Sequence, residues 1–155
     1  MSNEKRASVP LCVILICALF YTSSCIRFSR SAALQDPAFV LEQGILCADL
    51  KMQNDWAEPA ENKTVFKKGM DKNVFSFIRL KAMLGEHKLF WKWYDPSRRL
   101  YRVTDPITIG KEGQAFEKYI AWDQIYLFEE KENGTWTVAV FMDDRLLVSK
   151  EFVIQ

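Results

Sequence analysis

From Phe39 onward, the pattern of apolar and polar positions is strand-like rather than helical, with apolar residues in short runs. Asn73 to Leu84 shows this best: Val74, Ser76, Ile78 and Leu80 fall on one side, and Phe75, Phe77, Arg79 and Lys81 on the other. That period of two belongs to a strand with one buried face. Turn-forming clusters at Gln53 to Lys63, Lys67 to Lys72, Gly85-Glu86, Asp95 to Arg99, Gly110 to Gly113 and Glu130 to Gly134 punctuate the runs. Turns at that frequency predict a small antiparallel sandwich or barrel. The C-terminus predicts a hairpin: Trp136, Val138, Val140 and Met142 alternate, Asp143-Asp144 turns, and Leu146, Val148, Phe152 and Ile154 share a face on the return.

The remaining elements follow the same logic. Phe39 to Met52 predicts a first strand with Gly44 as a bulge or point of close approach, and Thr64 to Phe66 a short one. Gly85-Glu86 is expected to be a tight connection into a separate aromatic strand, Leu89 to Tyr94. Leu100 to Ile109 is interrupted by Pro106, which denies a ladder its donor, so it is expected at a sheet edge. In Phe116 to Phe128 two periods compete. Phe116, Tyr119, Ile120 and Asp123 suit a helical turn, whereas Trp122, Gln124, Tyr126 and Phe128 alternate as a strand.

Only one side of the aromatic strand can face a sandwich core. Leu89, Trp91 and Trp93 are assigned inward, which leaves Phe90 and Tyr94 outside, beside Phe75 and Phe77 of the preceding strand. These four residues form the candidate binding surface, for a protein or a glycan. The competing expectation is that the Trp56 loop, the 100–128 segment or a second layer covers it.

The first thirty residues are of another kind. Glu4, Lys5 and Arg6 precede an apolar run from Val9 to Tyr21 broken only by Pro10, the layout of a secretory signal. The run is shorter than the roughly 20 apolar residues a membrane-spanning helix needs. Thr22, Ser23 and Ser24 then precede Cys25, and this stretch resembles a bacterial lipoprotein signal, although Thr22 stands where that motif prefers Leu. The resemblance implies removal of residues 1–24, lipidation of Cys25, a tether over 25–37 and a domain over 38–155. It places the protein in the cell envelope on the periplasmic side, held to the membrane by its lipid. Ile26 in place of Asp favours the outer membrane over the inner. The alternative is that Cys25 is one small residue near an ordinary cleavage site. With Cys12 and Cys17 in the leader, Cys47 alone remains for the domain, where its apolar neighbours predict a buried thiol.

Charge and composition narrow the function. The chain of 155 residues carries 21 Lys plus Arg against 20 Asp plus Glu, and residues 36–155 carry 17 cations and 19 anions. That gives none of the basic field a nucleic-acid partner requires. A single histidine, His87, and the lack of Cys-x-x-Cys, Gly-x-Gly-x-x-Gly, Walker or Gly-x-Ser-x-Gly patterns point to no metal and no cofactor. His87 is expected to serve as a hydrogen-bonded ring at a strand start. Asp95, Asp123, Glu129 and Glu130 are the acids a small hydrolase would draft, whereas Asp143 and Asp144 are turn-formers. Lys67-Lys68 and Arg98 to Arg102 are expected as solvated turns.

Gly134 to Phe141, followed by Leu146-Leu147 and Phe152-Val153, resembles the last two strands of Ig-like or fibronectin-like domains of bacterial envelope proteins. His87 to Trp93 with Tyr94-Asp95-Pro96 is similar to their central strand and turn. The resemblance implies an all-β, antiparallel Ig-like β-sandwich of about seven strands without the antibody-type disulfide. It implies a non-catalytic accessory or interaction domain of the envelope. A carbohydrate-binding module and a small envelope hydrolase are the alternatives.

Overall fold

The computed structural model describes residues 39–54, 56–128 and 131–155. The leader, Cys25, the tether and the acids Glu129 and Glu130 lie outside the described residues. The strands are β1 (Val40–Cys47), β2 (Leu50–Gln53), β3 (Trp56–Pro59), β4 (Val65–Phe66), β5 (Asn73–Tyr94), β6 (Leu100–Val103), β7 (Ile107–Tyr126), β8 (Gly134–Met142) and β9 (Arg145–Ile154). Seven of them form one sheet in the order β1-β5-β8-β9-β4, with β6 and β7 also paired to β5, while β2 and β3 form a separate hairpin. Every pairing is antiparallel except the two-residue contact of β4 with β9. The fold is an all-β sandwich, as the alternation predicts.

Two layers arise from one sheet because β5 changes layer partway along. Its first half pairs with β1 and with residues 115–126 of β7, and its second half pairs with β8, β6 and residues 107–111 of β7. The expected break at Gly85-Glu86 is therefore a bend within a continuous strand. Ala82 and Gly85 have φ of 49° and 91°, and opposite them β7 inserts extra residues between Lys111 and Ala115. The positive φ at Ala82 moves the buried set from even to odd positions: Leu80 is core before it, Met83 and Leu89 after it. Gly110, also at positive φ, passes so close to β5 that a Cβ there would lie 2.2 Å from the Gly85 carbonyl oxygen.

The layers meet over Leu46, Ile78, Leu80, Trp91, Trp93, Trp136, Val138, Val140, Phe152 and Ile154, all nearly or wholly excluded from solvent. Trp91 and Trp93 point inward as expected, and each indole N–H crosses to the other layer, to Ser76 Oγ at 3.2 Å and to Asp123 Oδ2 at 2.6 Å. Gly44 is the expected point of close approach, with a Cβ there falling 3.4 Å from Val148 across the layers.

Local details depart from the pattern. The first strand ends at Cys47, and Leu50 to Gln53 leaves it to pair with β3. Phe116 to Tyr126 is strand throughout, which settles the competing periods for alternation. The C-terminal hairpin forms as predicted, with Asp143 and Asp144 at φ 50° and 61°, the geometry of a tight turn between twisted strands. A bulge after Val140 turns Leu147 into the core in place of Leu146. Leu100 to Val103 is an edge strand, paired only with β5.

Candidate functional site

The four residues of the expected surface do not form one patch. Because β5 crosses between layers, Phe75 and Phe77 lie on the outer face of the β1 layer, whereas Phe90 and Tyr94 lie on the outer face of the β8 layer, on the opposite side of the sandwich. Phe90 is only 9 % exposed. Its ring stacks on Phe141 across the strand pair at 5.1 Å, and Lys92 lays its ammonium over both rings. That is a closed cation–π sandwich with little aromatic face left for a partner. Tyr94 is half-buried beside it.

Phe77 is wholly buried, and the Trp56 hairpin, one of the three expected covers, reaches it through Arg79. Arg79 extends over the Phe77 ring and donates to Glu58 of β3, whose other oxygen accepts from the Trp56 indole at 2.8 Å. Ala60 N–H and Lys63 N–H donate to the Asp49 and Leu46 carbonyls, which closes the hairpin onto the end of β1. Cys47 is enclosed at the same place. Burial raises its thiol to about 11, so the sulfur stays protonated and unreactive at neutral pH.

Several titratable groups among the described residues hold the fold together. His87 Nδ1 lies 2.6 Å from Asp143 Oδ2 and its Nε2 lies 3.0 Å from the Leu84 carbonyl, with the Phe39 ring edge-on. Asp143 also accepts from the Lys88 N–H at 2.9 Å. Burial works to raise the Asp143 carboxyl, yet the Lys88 amide, His87 and Arg145 outweigh it and hold the group below its ordinary value. Asp95 binds the Arg99 amide and guanidinium across its turn. Asp123 accepts from both Trp93 and Arg102, and Arg102 also donates to the Gln124 carbonyl at 2.8 Å. Arg102, expected in a solvated turn, is thus an inter-layer tie, which position alone does not reveal.

Large apolar side chains remain open to solvent on β6 and the start of β7, at Leu100, Tyr101, Val103 and Ile107, and on the outer face of β7 further along. Over residues 115–126 this strand pairs with β5 alone, so it is a sheet edge. Trp122, Gln124 and Tyr126 point outward opposite Phe77, Phe75 and Asn73, and Phe128 continues the row. Trp122, Tyr126 and Phe128 are 39 %, 52 % and 60 % exposed. The Tyr126 and Phe128 rings lie 5.7 Å apart and 22° from parallel, forming a two-ring shelf. The Gln124 amide donates to Tyr126 Oη at 3.0 Å. Between this shelf and the turn from Gly69 to Asn73 lies an open depression of about 450 Å³. Asn73 Oδ1, at its edge, is enclosed without a hydrogen-bond partner among the described residues. The alternation of Trp122, Gln124, Tyr126 and Phe128 carried the signal for this surface, but nothing in it says which outer face is left uncovered.

No family model and no curated protein matches the chain. Solved structures do, at low identity. An alkylpurine DNA glycosylase of Pseudomonas fluorescens, solved bound to DNA containing an abasic site analog, is 9 % identical with a TM-score of 0.48, over 76 % of this chain and 30 % of its own. The chain thus spans under a third of that enzyme. An immunoglobulin-like protein of Pseudomonas aeruginosa is 15 % identical, with a TM-score of 0.40 over 76 % of this chain and 96 % of its own. A CARDB domain of Pyrococcus furiosus, solved with a pair of metal ions, is 11 % identical, with a TM-score of 0.38 over 75 % and 92 %.

Proposed function

We propose that the protein is a non-catalytic interaction module of the cell envelope, tethered to the membrane through a lipid on Cys25 and meeting its partner with the outer face of β7. The observation that carries this reading is the exposed row Trp122, Tyr126 and Phe128 on a sheet edge. A soluble domain leaves three large rings in one row to water at a cost, which a binding surface recovers on contact. The non-catalytic part is supported by the occupation of His87, Asp95, Asp123 and Asp143 in turns and ties between layers. The lipid anchor is supported by the apolar leader and the small residues before Cys25.

Two measurements test it. The intact mass of the protein from the membrane fraction of its host should equal residues 25–155 plus diacylglyceryl and acyl groups. A soluble form without acylation overturns the tether. A photoreactive phenylalanine analogue at position 126 should cross-link an envelope component, and the same group at Glu151 should not. Equal yields at the two positions overturn the assignment of the face.

A further inference from the structure

Resting on that reading, we infer that the β7 face is a saccharide site, which takes an uncharged glycan chain lying along Trp122, Tyr126 and Phe128. Three features select this ligand chemistry. The first is charge. The outward positions of the row are Trp122, Gln124, Tyr126 and Phe128, none of them ionised, and the charges around them are few: Arg79 at the Phe77 end is paired with Glu58, and Asp71 and the exposed Lys72 line the depression at the other end. Nearby Asp71 is neutralised by Lys63 at 2.6 Å and by the Lys67 amide at 2.7 Å. An anionic polymer or an acidic peptide would find a single unpaired cation here among the described residues, Lys72, too little to hold a run of negative charges.

The second feature is shape and polarity together. A pyranose ring presents an apolar C–H face with hydroxyls around its rim. The Tyr126–Phe128 shelf offers the flat ring, and polar groups stand at its margin. Tyr126 Oη already accepts from Gln124, so its own proton is free to donate outward. Asn73 Oδ1, enclosed and lacking a partner among the described residues, would meet a sugar hydroxyl once its side chain turns outward. An aliphatic or lipidic ligand would leave these groups unused.

The third feature is area. At exposures of 39 %, 52 % and 60 %, and with about 150–250 Å² per aromatic side chain, the three rings offer roughly 300 Å². A stable protein interface needs about 800 Å² from each partner. The patch is therefore too small to hold a second copy or a folded partner by itself. Six residues separate Trp122 from Phe128, roughly 20 Å of strand, which matches several sugar units in a row.

The test is titration calorimetry of the purified protein with six-unit cello-, xylo-, manno- and chito-oligosaccharides, beside vesicles of neutral and of anionic lipid. The expected result is saturable binding of at least one oligosaccharide, weakened tenfold or more by Tyr126→Ala and by Phe128→Ala. Thermal melts of the variants should stay close to the parent, because both rings are largely in water. Phe90→Ala, on the far side of the sandwich, should leave the affinity unchanged. Silence across the panel overturns the saccharide assignment, and so does vesicle binding or concentration-dependent dimerisation that the same substitutions abolish. If the photo-cross-link at position 126 then still captures an envelope component, the interaction surface stands and only the ligand class falls. If the cross-link fails as well, both fall.

Discussion

Replacing Gly110 with Ala should be among the most destabilising single-methyl additions in this fold, and Gly113→Ala should be mild. Both glycines sit in β7 near the place where the ribbon passes between layers, with φ of 76° and 70°. Both alanines therefore bear the left-handed strain of an L-residue, about 1–2 kcal/mol. Only at Gly110 does the new methyl meet backbone. It would fall 2.2 Å from the Gly85 carbonyl oxygen and 2.9 Å from Met83 Cε, where ordinary contact begins near 3.4 Å, whereas nothing lies within 4 Å at Gly113. Met83 can swing aside, but the Gly85 carbonyl belongs to the paired strand and moves only if the ribbon opens. Relieving an overlap of that kind costs about 1–3 kcal/mol more. The expected losses are roughly 2–5 kcal/mol for Gly110→Ala and 1–2 kcal/mol for Gly113→Ala. Urea unfolding of the two variants and the parent, followed by tryptophan fluorescence, reads the difference as separate midpoints at a common slope. Equal midpoints for the two variants would refute the close crossing of β5 and β7 at this bend.

Three further outcomes follow from the geometry. Asp123→Ala removes the acceptor of the buried Trp93 indole and should cost about 1–3 kcal/mol; Arg102, 40 % exposed in its side chain, adds little because water replaces its partner. In the Asp123→Ala background Trp93→Phe should cost measurably less than in the parent, and strict additivity by urea unfolding would count against the tie. Cys47, with its thiol raised to about 11, should resist iodoacetamide at pH 8 in the folded protein and react once urea unfolds it, as mass spectrometry would show; prompt labelling of the native state would contradict the enclosure by the β2–β3 hairpin. The Asp143 carboxyl, held below its ordinary value in the fold, contributes stability above about pH 4 that fades as acid protonates it. Asp143→Asn should therefore lower the melting temperature at pH 7, with a gap to the parent that narrows at pH 3.

The proposed surface was half legible in the sequence, and the missing half has a physical origin. Alternation assigns each residue to a face because the strand period is local: it placed Trp91 and Trp93 inward, Phe75 and Phe77 outward, and the C-terminal turn at Asp143-Asp144, all as found. Where backbone conformation itself shifts the period, local reading fails. The positive φ at Ala82, a residue with no turn-forming signature, moves β5 from one layer to the other, and so Phe90 and Tyr94 could not stand beside Phe75 and Phe77. Exposure is less local still. Phe77 and Trp122 are cross-strand neighbours on one face, yet Phe77 is closed off while Trp122 is 39 % exposed. The difference lies in Glu58, from a hairpin some twenty residues away in sequence, which draws Arg79 over Phe77. Toward Asn73 the same face has no such cover, and there the rings at 126 and 128 remain in water. The exposed aromatic row is thus defined by where the covering hairpin stops, and shortening or moving that hairpin would enlarge the strip from Tyr126 back toward Phe77.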